Sequence, residues 1–169
     1  MTKKYEEGNL ILRLWYASHR TRALLKMCED QIYGEYNLTT EQYALLSAGL
    51  YLGYPARPTD IAKWLGHSTN SVSMLVDRMV KAGLLRRVRD RGDRRVVNVF
   101  ITTKAENALQ PATRAGWEFI QKITSPLSNE DKGSFIILLN KLTWEASNHI
   151  NPGTYTEEMI RNASKRHDN

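Results

Sequence analysis

The chain has 169 residues, a net charge of +6, one cysteine and four scattered histidines. No apolar run is long enough for a membrane span or a signal-peptide core, and the lone Cys28 excludes an internal disulfide. Since no paired carboxylates, nucleophile motif, phosphate loop or metal-ligand spacing stands out, we expect one cytoplasmic domain over 1–169 that is not an enzyme and needs no cofactor or metal.

A long amphipathic helix is predicted first, over residues 8–32. Its stripe of apolar residues at helical spacing includes Leu10, Leu14, Leu24, Leu25, Cys28 and Ile32. Thr39, followed three residues later by Gln42, forms a capping box that predicts the start of a second helix. That helix is expected to end before Gly53.

Two short helices follow and are joined by a tight turn. Pro58 suits the first position of a third helix, which Gly66 ends. Ser68 suits the N-cap of a fourth helix, in which Val72, Val76 and Met79 share one apolar face. Two helices joined in this way have a helix-turn-helix layout.

The periodicity of the apolar residues changes after Gly83. Residues 84–89 and 96–101 are runs of β-branched side chains or of alternating apolar and polar side chains, and a charged segment separates them. This pattern predicts a β-hairpin with a charged tip. The predicted fold class is therefore mainly α with one small β-hairpin (α+β).

Two long helices complete the chain. One begins at Thr102 or Thr103, and Pro111 is expected to kink or split it. The last is capped by Ser128 or Asn129. A weak terminal helix is predicted over 154–166.

The positive charge is concentrated in the middle of the chain. Residues 57–95 hold ten Lys and Arg against four Asp and Glu, whereas the other 130 residues hold fourteen of each. A confined basic field is typical of a surface that meets nucleic-acid phosphates, and the alternative is a solvated basic loop.

Inside this basic stretch, the fourth helix begins with small hydrogen-bonding side chains, which suit contacts to base edges and phosphates in the major groove. Hairpin arginines suit the minor groove, with Asp90 and Asp93 holding their neighbours in place. Further phosphate contacts are expected from Arg78, Lys81, Arg86, Arg87 and Arg89.

Several linked motifs resemble the MarR family of winged helix-turn-helix transcription regulators, in register from about residue 9 to 145. They are Leu38 to Leu46 with Gln42, Pro58 to Leu65, Ser68 to Arg78, Gly83-Leu84-Leu85, and Asp93-Arg94-Arg95 through Thr102. The resemblance implies a winged lobe at 38–101, flanked by dimerisation helices at 8–32 and 103–150. It also implies a homodimer that binds a pseudo-palindromic operator in double-stranded DNA, and repression that a small ligand relieves.

The resemblance assigns the recognition helix to 68–82 and the wing to 84–101. The resemblance and the side-chain chemistry of the basic stretch together predict a set of DNA-binding residues. They are Ser68, Thr69, Asn70, Ser71, Ser73, Met74, Arg78, Arg89, Asp90, Arg91, Asp93, Arg94 and Arg95. Asp93 and Arg95 hold positions that the family uses to brace the wing. Met74 and Gly92 depart from the family pattern, where basic residues are common, so the family's base preference does not transfer.

The resemblance also implies an effector pocket for a small aromatic ligand. Its predicted lining is Trp15, Tyr16, His19, Tyr43 and Trp117, for which ordinary core packing is the alternative. Cys28 permits a redox-responsive regulator, and a buried, unreactive thiol is the alternative interpretation. An architectural DNA-binding protein with little sequence preference is the remaining alternative to a sequence-specific regulator.

Overall fold

The computed structural model describes residues 2–89 and 97–150, and in its first helix the side chains from Gly8 onward. Within those residues, the chain forms six helices and a two-stranded sheet: α1 (Thr2–Gly34), α2 (Thr40–Leu52), α3 (Pro58–Leu65), α4 (Thr69–Lys81), β1 (Leu85–Arg89), β2 (Val97–Ile101), α5 (Thr103–Thr124) and α6 (Asn129–Ile150). The predicted α+β class with one hairpin is confirmed. None of the described helices has the length and apolar content needed to cross a membrane.

Local signals define the helix ends as predicted. The Thr39 hydroxyl accepts the Gln42 N–H at 3.2 Å, and the Gln42 side chain accepts the Thr39 N–H at 2.9 Å. Ser128, one of two predicted caps, begins α6 by accepting the Asp131 N–H at 3.1 Å. The predicted helix over 154–166 lies outside the described residues.

The chain divides into two compact units, Met1–Glu118 and Phe119–Asn169. The core of the first unit is built by the middle helices and the hairpin, and its largest fully buried side chains are Leu45, Leu46, Ile61, Val72, Val76, Met79 and Val99. Burial of one such side chain contributes about 1.5–3 kcal/mol. In the second unit, none of the described α6 residues is buried.

The hairpin packs against the core through its base. β1 and β2 are antiparallel, with Leu85 opposite Ile101 and Arg87 opposite Val99. Val99 is fully buried and also exchanges two main-chain hydrogen bonds with Ala56, at 2.9 and 3.1 Å. These contacts hold the strands rigidly on the lobe. Residues 90–96, which the sequence predicts to form the hairpin tip, lie outside the described part of the chain.

Pro111, predicted to kink or split its helix, does not split it, since α5 continues from Thr103 to Thr124. Pro111 is exposed, whereas Leu109 and Ala112 on either side of it are buried. Packing of these two side chains stabilises the helix on both sides of the proline, and tertiary burial thus outweighs the hydrogen bond that proline removes. The helix begins at a cap by Thr102, whose hydroxyl accepts the Ala105 N–H at 3.3 Å.

Candidate nucleic-acid interface

The turn between α3 and α4 fixes the helix that is predicted to read DNA. Gly66 adopts the left-handed conformation with φ 67°, which favours glycine, and the next N–H, of His67, donates to the Ala62 carbonyl at 2.9 Å. Ser68 then caps α4, its hydroxyl accepting the Ser71 N–H at 3.1 Å. The start of α4 therefore has a defined direction.

The outer face of α4 carries most of the predicted base-reading residues. Asn70, Met74 and Arg78 follow one another at four-residue spacing and are all exposed, as is Thr69. The opposite face is buried in the core. Ser68 and Ser71 also hydrogen-bond each other through their hydroxyls at 2.8 Å, so they organise the helix start as well as lying at the surface.

The three arginines of β1 have different surroundings. The Arg86 guanidinium lies 4.5 Å from the centre of the Phe100 ring, a cation–π contact. Arg87 forms an ion pair with Asp77 of α4. Arg89, at the end of the strand, is exposed. The sequence predicts phosphate contacts for all three. In the structure, Arg86 and Arg87 have partners within the protein, and their phosphate contacts stay a prediction.

Asp77 is a residue that sequence reasoning missed. Its acidic side chain within the basic stretch was the available signal, but its partner lies ten residues along the chain on another element. The predicted tip residues Asp90, Arg91, Asp93, Arg94 and Arg95 lie outside the described residues, and their role stays a prediction.

The predicted effector residues are only partly brought together. Trp15 and His19 make an edge contact, with ring centres 4.4 Å apart. Tyr43 stacks instead on Tyr33, with centres 3.9 Å apart and the ring planes 12° from parallel. Tyr16 and Trp117 are exposed.

Tyr33 contacts the predicted effector residue Tyr43, although the sequence did not predict Tyr33 as part of an effector site. It is buried at the end of α1, and burial, with a smaller contribution from Tyr43, raises the pKa of its hydroxyl well above the usual value. The phenol therefore stays protonated at neutral pH. Cys28, one turn or so earlier, is half-buried, and the redox alternative stays a prediction.

A helix-turn-helix followed by a β-hairpin defines the winged helix-turn-helix class of DNA-binding proteins. The family model described as MarR family matches residues 36–96. The transcriptional regulator PecS of Dickeya dadantii is 27% identical over 125 residues, covering 73% of this chain and 75% of PecS. The chain is therefore similar to transcription regulators of the MarR family.

Solved structures show the same fold. MepR of S. aureus, in complex with DNA, gives a TM-score of 0.72 at 26% identity and covers 78% of this chain and 96% of its own. The organohalide-sensing transcriptional regulator RdhR, in its 2,4-dichlorophenol-bound form, gives 0.73 at 24% identity, covering 87% of this chain and 85% of its own.

Proposed function

We propose that the protein is a homodimeric, sequence-specific repressor that binds a pseudo-palindromic operator and is released by a small ligand. The observation that carries the proposal is the outer face of α4. There Asn70, Met74 and Arg78 project from a helix whose start is fixed by Gly66 and Ser68. Polar side chains near the start of such a helix suit base edges in the major groove.

Exposed apolar faces support the homodimer. In α1, Leu10, Ile11, Leu14 and Trp15 are each more than half exposed, and in α6 Phe135 and Leu138 are as well. Helical faces of this kind are normally covered, and a second copy of the same chain is the simplest partner. Pairing would present two reading helices to two half-sites.

A small aromatic molecule is the effector that we propose. RdhR binds 2,4-dichlorophenol, and this chain shares its fold. Aromatic side chains with a few polar groups suit such a ligand, and Trp15, Tyr16, His19, Tyr43 and Trp117 remain the proposed lining. Quenching of tryptophan fluorescence by a chlorinated phenol tests the assignment. No change in either fluorescence or DNA affinity would contradict it.

The DNA-binding proposal is tested with duplexes covering the promoters around the protein's own gene. We expect the wild type to retard one of them in a gel and Arg94→Ala to lose most of that affinity, because Arg94 lies at the tip of the proposed wing. Arg114→Ala, an exposed arginine of α5, is the matched control and should bind like the wild type. If Arg94→Ala also binds like the wild type, the wing assignment is wrong.

The small polar side chains of residues 68–73 also permit an architectural protein with little sequence preference. Competition with random-sequence DNA separates the two functions. Equal affinity for a promoter duplex and random DNA would favour the architectural protein, whereas a repressor prefers its operator by a large factor.

A further inference from the structure

The Asp77–Arg87 ion pair joins the reading helix to the wing strand. Arg87 uses one nitrogen of its guanidinium for the Asp77 carboxylate. Its other terminal nitrogen donates to the main-chain carbonyl of Ser73 at 3.5 Å. Since the carbonyl of Ser73 points along α4 toward Asp77, four residues on, the two acceptors lie side by side and one planar guanidinium reaches both.

We propose that this pair is a positioning device that sets the angle between α4 and the wing, and thereby the preference for operator over random DNA. The proposal rests on the proposed DNA-binding function. It assigns to Asp77 a role in specificity although a carboxylate repels DNA.

The anchor on the strand side is rigid. Arg87 lies opposite Val99, which is fully buried and hydrogen-bonded to Ala56. On the helix side, the main-chain turn already holds the C-terminal end of α4, where the Leu84 N–H donates to the Met79 carbonyl at 2.9 Å. Asp77 and Ser73 lie nearer the reading end. The ion pair therefore adds a contact between α4 and the wing strand that is nearer the reading end than the turn is.

A purely stabilising role does not account for the pair. The Arg87 and Asp77 side chains are 37% and 54% exposed, and ion pairs that exposed contribute little to stability. Asp77 also places a negative charge, one of only four in residues 57–95, on the surface that faces phosphates. A carboxylate there weakens general DNA affinity, so its contribution is the fixed geometry of its partner.

The test compares affinity for two DNA probes, a duplex selected by the wild type from a randomised pool and an unselected duplex of the same length. In Asp77→Asn we expect affinity for the selected duplex to fall about fivefold to tenfold, while affinity for the unselected one stays equal or rises. If Asp77 acted through charge alone, both affinities would rise together and their ratio would not change.

Arg87→Lys provides a second variant that keeps the charge. Lysine has no planar fork with which to hold the Asp77 carboxylate and the Ser73 carbonyl together, so the ratio should again fall. Arg114→Lys, at an exposed position of α5 outside the predicted DNA-binding residues, is the matched control and should leave the ratio unchanged. The double variant Asp77→Asn/Arg87→Lys should be no worse than either single variant, because both remove the same contact.

Thermal unfolding of the variants should stay within a few degrees of the wild type, which separates positioning from loss of fold. A wild-type ratio in both Asp77→Asn and Arg87→Lys would overturn the positioning role while leaving the proposed function standing. A wild type that does not prefer its selected duplex would instead contradict the proposed function, and this inference with it.

Discussion

Two tyrosines occupy the space beside two helical glycines. The Tyr54 ring lies against Gly49 in α2, where a Cβ would be 2.6 Å from the phenol carbon Cζ. The Tyr33 hydroxyl lies against Gly116 in α5, where a Cβ would be 2.9 Å away. Both distances are too short for ordinary packing, so these glycines allow close approach of an aromatic ring rather than a special backbone conformation.

We expect Gly49→Ala to destabilise the protein by about 1–3 kcal/mol, because the added methyl group forces Tyr54 out of place. Gly133→Ala is the control, since nothing lies within 4 Å of its Cβ position in α6. It should stabilise by about 0.5–1 kcal/mol through helix propensity. Urea unfolding of both variants measures the difference, and equal effects would contradict the packing at Gly49.

Asn70 is the residue that we expect to specify a base. It is exposed on the first turn of α4, and an asparagine amide suits the edge of adenine. Asn70→Ala should weaken operator binding by about 1–3 kcal/mol and relax selection at one base pair of each half-site. Gln110→Ala, an exposed amide on α5, should change neither. Unaltered base selection in Asn70→Ala would show that another residue reads this position.

At the scale of elements, Lys26 joins α1 to α2. Its ammonium lies 3.0 Å from Asp30 of α1 and 3.1 Å from Glu41 of α2. The Thr40 hydroxyl donates to Asp30 at 2.6 Å. The pKa of Asp30 is lowered mainly by Thr40 and then by Lys26, and the pKa of Glu41 is lowered by its main-chain hydrogen bond and then by Lys26.

These pKa shifts determine whether stability rises or falls with pH. Because folding lowers the pKa of both carboxyls, their contribution to stability is present above their unfolded pKa values, near 4, and is lost as the pH falls through the folded values. Glu29 opposes this, since burial raises the pKa of its carboxyl. Comparison with a variant that lacks only Lys26 isolates the first effect.

We therefore expect Lys26→Met to lower the melting temperature slightly at pH 7, and by progressively less as the pH falls through the lowered pKa values of the two carboxyls, because protonation removes the charges that Lys26 pairs with. Lys63→Met removes an exposed lysine of α3 that makes no ion pair with a described residue, and it should change little at any pH. A difference in melting temperature between the wild type and Lys26→Met that stays the same at every pH would contradict this role for Lys26.

The elements differ in how far the sequence predicts them. The Thr39 and Ser68 caps were predictable because each depends on residues three apart in the chain. Continuity through Pro111 was not, since it depends on burial against other elements. The contacts of Asp77 with Arg87 and of Tyr33 with Tyr43 were missed for the same reason, as each joins different elements.

For the whole molecule, the exposed apolar faces of α1 and α6 are the surfaces that we propose for dimerisation. Leu138 and Leu142 lie one turn apart in α6, and each is at least half exposed. We expect Leu138→Glu to shift the protein from dimer to monomer in sedimentation and to weaken operator binding sharply, because one lobe then contacts one half-site. Lys141→Glu, at an exposed position of the same helix, controls for the charge. A dimer that survives Leu138→Glu would place the interface elsewhere.

We propose that two copies of the chain read one pseudo-palindrome through their α4 helices and wings. Hydroxyl-radical footprinting of the wild type on the promoter duplex that it binds tests this most directly. We expect two protected half-sites with centres about 34–36 Å apart, on one face of the DNA and related by approximate twofold symmetry. A single protected half-site, or uniform protection along any duplex, would contradict the claim.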